Sequence, residues 1–103
     1  NGIIEEEQER LEELINHYDN EIEKLPKGSL QAKKLSKVEK YIYLVFRENG
    51  KHISKYIGKE DSEEVKQLID NIKKRKNLEA LRKKASSNLK EVYKLIKVYK
   101  RER

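Results

Sequence analysis

The stretch that most constrains the fold runs from Lys40 to Gly58, where two alternating runs of β-branched and aromatic residues flank Asn49-Gly50. An Asn-Gly pair between such runs predicts a β-hairpin, because both residues tolerate the positive φ of a type I′ turn. With these two residues at the turn, the strand register follows. The expected cross-strand pairs are Glu48 with Lys51, Arg47 with His52, Phe46 with Ile53 and Tyr43 with Tyr56.

The hairpin has two dissimilar faces, because successive side chains of a strand point to opposite sides. One face is apolar and is predicted to belong to the core. It carries Ile42, Leu44, Phe46, Ile53 and Ile57, with Lys55 as an edge-protecting charge. The other face, which we call the tyrosine face, is aromatic, basic and hydroxyl-bearing. It carries Tyr41, Tyr43, Val45, Arg47, His52, Ser54 and Tyr56.

An acidic helix is predicted at the start of the chain, over Ile3 to Leu25 within residues 1–25. Its apolar positions repeat every seven residues, which is typical of a narrow coiled-coil seam. They are Ile4, Leu11, Tyr18 and Leu25, flanked by Leu14, Ile15 and Ile22. Pro26 is expected to end this helix, because the residue before a proline is disfavoured in the α region.

A further strand is predicted before the hairpin, from Ser29 to Leu35, where alternation is visible but imperfect. Together with the hairpin it gives a three-stranded antiparallel meander over residues 29–58. Three strands with a covered apolar face are the smallest sheet expected to be stable.

A basic helical tail follows, over residues 61–103. Asp61 and Glu64 are predicted to form a capping box at its start. No proline or glycine interrupts the tail, so a single helix fits the sequence. A break or bend near Lys73 to Asn77 is nevertheless favoured, because no apolar residue lies there and Asn77 can cap a new helix.

Charge is segregated along the chain, although the net charge is only +6. Residues 1–25 carry an excess of seven negative charges, and residues 61–103 an excess of seven positive charges. Opposite charge blocks on two helices predict that the helices pair as a coiled coil, within one chain or in a homodimer. The fold class that follows is α+β, with the meander beside a helix pair.

Several function classes lack their usual sequence features. The chain has no cysteine, and its four glycines are isolated rather than gathered in a phosphate-binding loop. The two histidines lie on different elements, and Ser54 beside His52 lacks an acidic partner. We therefore expect no enzyme, cofactor, metal or small-molecule substrate. The longest apolar run is too short to span a bilayer and no signal peptide is visible, so a cytoplasmic protein without a membrane partner is expected.

Two motifs of the central region resemble a family of small uncharacterised prokaryotic proteins. They are L-P-K-G-S-L at Leu25 to Leu30 and Y-x-Y-L-x-x-R-E-x-G-K-x-x-S-x-Y-I-G-K from Tyr41 to Lys59. Members of that family carry a tyrosine-rich hairpin and a coiled-coil-like helical tail. The hairpin is also similar, more loosely, to the arm-type DNA-binding module of tyrosine recombinases. Ile42 and Asn49 depart from the family pattern, which more often has tyrosine and glycine there.

The tyrosine face favours nucleic-acid binding, with DNA the preferred ligand. Aromatic rings offer stacking surfaces to bases, while arginine and lysine bind phosphates. The predicted contacts are Tyr41, Tyr43, Arg47, His52, Ser54, Tyr56, Lys33, Lys51 and Lys59. Two other interpretations remain open. The tyrosines can form cross-strand pairs or pack on a helix for structural reasons alone, and the helices can make the domain an oligomerisation or adaptor module that binds no nucleic acid.

Overall fold

The computed structural model describes residues 2–34 and 36–101. Its elements are α1 (Gly2–Glu23), β1 (Ser29–Lys34), β2 (Lys40–Glu48), β3 (Lys51–Lys59) and α2 (Glu63–Arg101). This order confirms the α+β class: a helix, a three-stranded antiparallel sheet and a long C-terminal helix. The predicted strand end at Leu35 and helix end at Arg103 lie outside the described residues.

The chain divides into two compact units. One consists of Asn1–Lys24 and Lys76–Arg103, and therefore holds α1 and the C-terminal part of α2. The other consists of Leu25–Arg75 and holds the sheet and the N-terminal part of α2.

The sheet is a meander with strand order β1-β2-β3. All four predicted pairs of the hairpin occur in its register, including Tyr43 with Tyr56. Asn49 and Gly50 have φ values of 52° and 77°, so the positive φ expected at both turn positions is confirmed. The turn residues therefore determine which side chains share a face, as the sequence predicted.

A β-bulge interrupts the β2–β3 ladder near its end. Tyr43 lies opposite Tyr56, but Ile42 lies opposite Gly58 and Tyr41 opposite Lys59. Strand β3 thus carries one extra residue between these pairs, as in a β-bulge. The bulge transfers Lys59 to the face that carries Tyr41.

The buried residues of the sheet unit come from one face of β2 and from α2. Ile42 and Leu44 are buried in the sheet, and Val65 and Ile72 are buried on α2. A Cβ placed on Gly58 would come within 3.7 Å of the Val65 side chain, so α2 approaches the apolar face of the sheet here. The apolar face of the hairpin, opposite the tyrosine face, therefore contributes to the core as predicted.

Helix α2 begins differently from the prediction. The Ser62 hydroxyl, not Asp61, accepts the N-terminal capping bond from the backbone N–H of Val65 at 3.4 Å. The first helical backbone bond joins Lys66 N–H to the Ser62 carbonyl at 3.1 Å. Ser62 is therefore the N-cap, and the predicted capping box of Asp61 and Glu64 is wrong. Ser62 directly precedes α2, and its backbone N–H donates to the Lys59 carbonyl at 3.0 Å in the turn after β3.

Helix α2 then continues without interruption to Arg101. The predicted break between Lys73 and Asn77 is wrong. A run of lysine and arginine is a good helix former even without apolar residues, and one asparagine costs a helix interior less than about 1 kcal/mol. Arg75 is also held in place, because its Nη1 donates to the Leu25 carbonyl at 2.8 Å.

In the other unit, α1 pairs with the C-terminal part of α2. Leu11 packs with Ala85 and Val92 in a buried cluster. Partly buried side chains surround this cluster: Ile4, Leu14, Ile15, Tyr18, Leu89 and Ile96. Those on α1 belong to the seven-residue apolar repeat and its flanking positions that the sequence indicated. Contact between the helices is therefore confirmed. Coiled-coil packing in the strict sense stays a prediction.

Polar contacts show that the two helices run antiparallel. The Tyr93 hydroxyl donates to Glu12 Oε1 at 2.8 Å, and the Arg82 guanidinium donates to both carboxylate oxygens of Asp19. Later residues of α1 thus face earlier residues of α2. The Arg82 ion pair shows one acidic and one basic block meeting within a single chain.

Candidate nucleic-acid interface

Three tyrosines form a cluster on the tyrosine face. The ring centroids of Tyr43 and Tyr56 lie 5.4 Å apart in an edge-to-face arrangement, and those of Tyr41 and Tyr56 lie 6.0 Å apart. The strand register produces both contacts, because Tyr56 lies directly opposite Tyr43 and diagonally to Tyr41. Cross-strand pairing of the tyrosines therefore occurs, as the structural interpretation expected.

The tyrosine face is nevertheless accessible to solvent. None of its residues is buried, and Tyr56 is 50% exposed. The apolar residues of the hairpin point to the opposite side, where α2 approaches. The pairing of the rings with one another thus leaves aromatic surface available to a ligand.

Strand β1 adds a lysine to the cluster. Lys33 lies opposite Tyr41 in the β1–β2 register, and its Nζ lies 4.4 Å from the ring centroid of Tyr43. This is a cation–π contact, which orients the ammonium group over the aromatic surface. Gln31, opposite Tyr43, shares the same face and was not among the predicted contacts.

Glu39 is a residue that sequence reasoning did not assign to the interface. The Tyr41 hydroxyl donates to Glu39 Oε2 at 2.7 Å, and Lys59 Nζ lies 3.6 Å from Glu39 Oε1. The hydrogen bond from Tyr41, followed by the charge of Lys59, lowers the pKa of the Glu39 carboxyl. The same hydrogen bond raises the pKa of the Tyr41 hydroxyl. The available signal was the two-residue spacing of Glu39 and Tyr41, which in an extended segment favours one side.

The backbone of Glu39 is fixed by the turn that precedes β2. The Ser36 hydroxyl accepts hydrogen bonds from the backbone N–H groups of Val38 at 3.3 Å and Glu39 at 3.1 Å. This is a serine-based turn of the kind that replaces a backbone hydrogen bond. It fixes the backbone position from which the Glu39 carboxylate reaches Tyr41 and Lys59.

The remaining predicted contacts lie toward the turn of the hairpin. Arg47 and His52 are opposite each other and both exposed, and Ser54 lies opposite Val45. Arg47 is four residues beyond Tyr43, which corresponds to about 13 Å along a strand. The tyrosines and Arg47 therefore form two separate patches of one face rather than a single cluster.

Lys51 does not join the tyrosine face. It lies opposite Glu48, and this pair is adjacent to the Arg47–His52 pair in the ladder. Because successive side chains of a strand point to opposite faces, Lys51 and Glu48 lie on the apolar side. A direct role for Lys51 on the tyrosine face is therefore not supported. Lys59 does join that face, because of the bulge.

Two arginines of α2 make contacts within the chain. Arg75 donates to the Leu25 carbonyl, and Arg82 pairs with Asp19. The hydrogen bond to Asp19 raises the pKa of the Arg82 guanidinium. Both arginines thus have structural contacts, and the pair of Arg82 with Asp19 favours the prediction that part of the basic tail binds the chain's own acidic helix.

Membrane-spanning and metal-binding features are absent from residues 2–34 and 36–101. Neither described helix combines the length and apolar character needed to cross a bilayer. Among these residues, histidine, aspartate and glutamate side chains form no group of three placed to hold a metal ion.

Comparison with known proteins identifies one family. No curated protein and no solved structure matches the chain. A family described as "Domain of unknown function (DUF6788)" matches residues 4–67. The match covers most of α1, the whole sheet and the first turn of α2. Since this is more than half of the chain, the protein belongs to the DUF6788 family, an uncharacterised family as the sequence resemblance implied.

Proposed function

We propose that this protein is a non-enzymatic nucleic-acid-binding module that uses the tyrosine face of its sheet, with DNA as the preferred ligand. The observation that carries the proposal is the cluster of Tyr41, Tyr43 and Tyr56 on an open sheet face, with Lys33 above one ring. Proteins that bind single strands combine aromatic side chains, on which bases stack, with positively charged groups that contact the phosphates.

Stacking on this face suits many base sequences. Every base has a π-face, and aromatic stacking contributes ~1–3 kcal/mol per base. Tyr56 is the most exposed ring of the cluster and the best platform, whereas Tyr43 is shared with Lys33. The expected ligand is a single strand or an unpaired end, because paired bases in a duplex do not offer their faces.

Basic residues supply the contacts to the phosphates. Lys33 and Lys59 flank the tyrosines, and Arg47 lies further along the same face with His52. Such contacts set the overall affinity and make it salt-dependent, because each one releases counterions from the nucleic acid. The likeness of the hairpin motif to the arm-type module of tyrosine recombinases also supports the proposal. A cytoplasmic location, favoured by the lack of cysteine, is part of it.

A second candidate function is an oligomerisation or adaptor domain. It is favoured by apolar side chains that α2 leaves exposed near its C-terminal end, namely Leu95, Val98 and Tyr99. Exposed apolar patches often bind other proteins. In this case a homodimer or a partner protein would cover the end of the helix, and the tyrosine face would bind nothing.

A titration by fluorescence anisotropy distinguishes the two functions. Labelled single-stranded DNA, duplex DNA and RNA are titrated with the protein at low salt, together with an abasic strand that has phosphates but no bases. We expect single strands with bases to bind more tightly than the abasic strand. Equal affinity for both would remove the stacking role. Failure of every nucleic acid to bind at micromolar protein would favour the adaptor function.

A further inference from the structure

We propose that Tyr41 Oη and Lys59 Nζ form a phosphate subsite of this interface, and that the Glu39 carboxylate occupies the subsite in the free protein. The inference rests on the proposed function and specifies where one backbone phosphodiester binds. It also makes Glu39 an internal competitor of the nucleic acid.

The geometry around Glu39 is that of an anion site. One carboxylate oxygen accepts from the Tyr41 hydroxyl at 2.7 Å, and the other lies 3.6 Å from the Lys59 ammonium group. A phosphodiester is also a singly charged anion with two accepting oxygens, so it can replace the carboxylate at both donors. Hydroxyl and ammonium groups are common donors to backbone phosphates.

The site depends on an irregularity of the sheet. Without the extra residue of β3, Lys59 would alternate to the apolar side, away from Tyr41. Bulges commonly redirect a side chain at a functional site. Here the bulge brings Lys59 beside the tyrosine cluster, where a strand stacked on Tyr56 would pass.

Glu39 is suited to be displaced. Its contacts are at the surface, and exposed ion pairs contribute little to stability. The Ser36 turn holds its backbone in place, so the carboxylate returns when the ligand leaves. While the Glu39 carboxylate occupies the subsite, it neutralises the charge of Lys59. The free protein therefore presents less positive charge to a nucleic acid than its number of lysines suggests.

The test is the substitution Glu39→Gln, which removes the charge and keeps the size of the side chain. Its affinity for a single-stranded DNA is measured between low and moderate salt. For a single strand, each additional phosphate contact changes the slope of log affinity against log salt by ~0.7. Over a tenfold change in salt, from 1 M to 0.1 M, the affinity therefore rises by an additional factor of about five. We therefore expect Glu39→Gln to bind more tightly than the wild type and with a steeper slope.

Two matched controls make the same change in net charge. Glu60→Gln removes a carboxylate that lies 3.8 Å from the Lys40 ammonium group, next to Lys59 in sequence, and that makes no hydrogen bond to a tyrosine of the described residues. Glu48→Gln removes one at the far end of the hairpin, opposite Lys51. If either control raises affinity and slope as much as Glu39→Gln does, the effect is one of overall charge and the subsite is refuted.

A second measurement needs no nucleic acid. The protein is labelled with ¹³C-tyrosine, its ring signals are titrated with pH, and Tyr41→Phe assigns the Tyr41 signal. Because Glu39 raises the pKa of the Tyr41 hydroxyl, Glu39→Gln is expected to lower it. An unchanged titration of Tyr41 would show that Glu39 does not occupy the site.

The outcomes separate this inference from the proposed function. If the wild type binds single strands but Glu39→Gln matches Glu48→Gln, the subsite is wrong and the function stands. If neither the wild type nor Glu39→Gln binds any nucleic acid, the function fails and the subsite with it. Tight, steeply salt-dependent binding by Glu39→Gln alone among the three variants supports both.

Discussion

Lys59 lies opposite Tyr41 in the β2–β3 ladder, and Tyr56 lies opposite Tyr43. The two partners are three residues apart on β3, whereas the two tyrosines are two residues apart on β2. The extra residue of β3 has two consequences. It adds a lysine to the tyrosine face, and it places Gly58 opposite Ile42 on the apolar side, where the chain turns into α2. The same irregularity thus shapes the candidate interface and the start of the helix.

Gly58 is expected to resist substitution because of this turn. A Cβ at Gly58 would lie 2.9 Å from Ser62 Oγ, the atom that caps α2. Gly58→Ala must therefore displace the cap, which costs about 0.5–2 kcal/mol of unfolding free energy. Chemical denaturation of the variant measures this loss.

The double variant Gly58→Ala with Ser62→Ala provides the control. With the hydroxyl gone, the alanine methyl meets no cap to displace, so Gly58→Ala should cost less in the Ser62→Ala background than in the wild type. Additive losses would show that the two residues are not coupled in this way.

The hairpin turn gives a prediction of its own. Gly50→Val should reduce the free energy of unfolding by ~1–2 kcal/mol, since a residue with a Cβ is strained at positive φ. Gly50 has a φ of 77°, and a Cβ there would meet no atom beyond the neighbouring residues within 4 Å, so the loss would come from local backbone strain and not from contact with another part of the chain. Gly50→Asn is the matched control, because asparagine tolerates this region and should cost less. A thermal melt unchanged by valine would contradict the turn.

The helix pair is predicted to depend on Leu11, whose side chain is 1% exposed. Leu11→Ala should lower the free energy of unfolding by about 2–5 kcal/mol, the usual cost of a cavity in a packed core. Leu95→Ala makes the same chemical change at an exposed position and should stay within about 0.5 kcal/mol. Circular dichroism during denaturation compares the two. Equal losses would mean that α1 does not bury Leu11 against α2.

The contact between Tyr93 and Glu12 predicts a pH dependence. Hydrogen bonds from Gln8 and then Tyr93 lower the pKa of the Glu12 carboxyl, so its stabilising effect is present above the unfolded pKa and disappears as pH falls through the folded one. The hydrogen bond to Glu12 raises the pKa of the Tyr93 hydroxyl. The stabilisation from this shift is therefore complete below the pKa of Tyr93 in the unfolded chain, and it disappears as pH rises through the pKa in the folded protein.

The wild type should therefore exceed Tyr93→Phe in stability near neutral pH, and the difference should shrink at both acidic and strongly alkaline pH. Melting temperatures of the two proteins across pH measure the difference. A constant difference at every pH would show that the hydroxyl does not bind Glu12.

The sequence predicted those features that arise from local pattern. Asn49-Gly50 was sufficient for the register of the hairpin, and the heptad positions around Leu11 identified the side of α1 that packs. The same local reasoning could not detect the bulge, because one inserted residue between Tyr56 and Lys59 leaves no mark in a short alternating run. The placement of Lys59 was therefore open until the ladder was known.

The predictions that were wrong concern positions where two local conformations have nearly equal free energy. Asp61 and Ser62 are both good N-cap residues, and the turn after β3 selected the serine. Asn77 can begin a helix, but the chain around it favours continuing one. Glu39 was missed because its role comes from contacts with Tyr41 and Lys59, which depend on the turn at Ser36 and on the bulge.

The central claim is that the tyrosine cluster binds single-stranded nucleic acid, and the most direct test is the double variant Tyr43→Ala with Tyr56→Ala. The control, Tyr93→Ala with Tyr99→Ala, removes two tyrosines from α2 instead. Binding of single-stranded DNA is measured by anisotropy over a range of salt concentrations. We predict that the first variant binds more weakly at every salt concentration with little change of slope, because stacking releases few counterions, and that the second binds like the wild type. Equal binding by both variants, or no binding by the wild type at low salt, would contradict the claim.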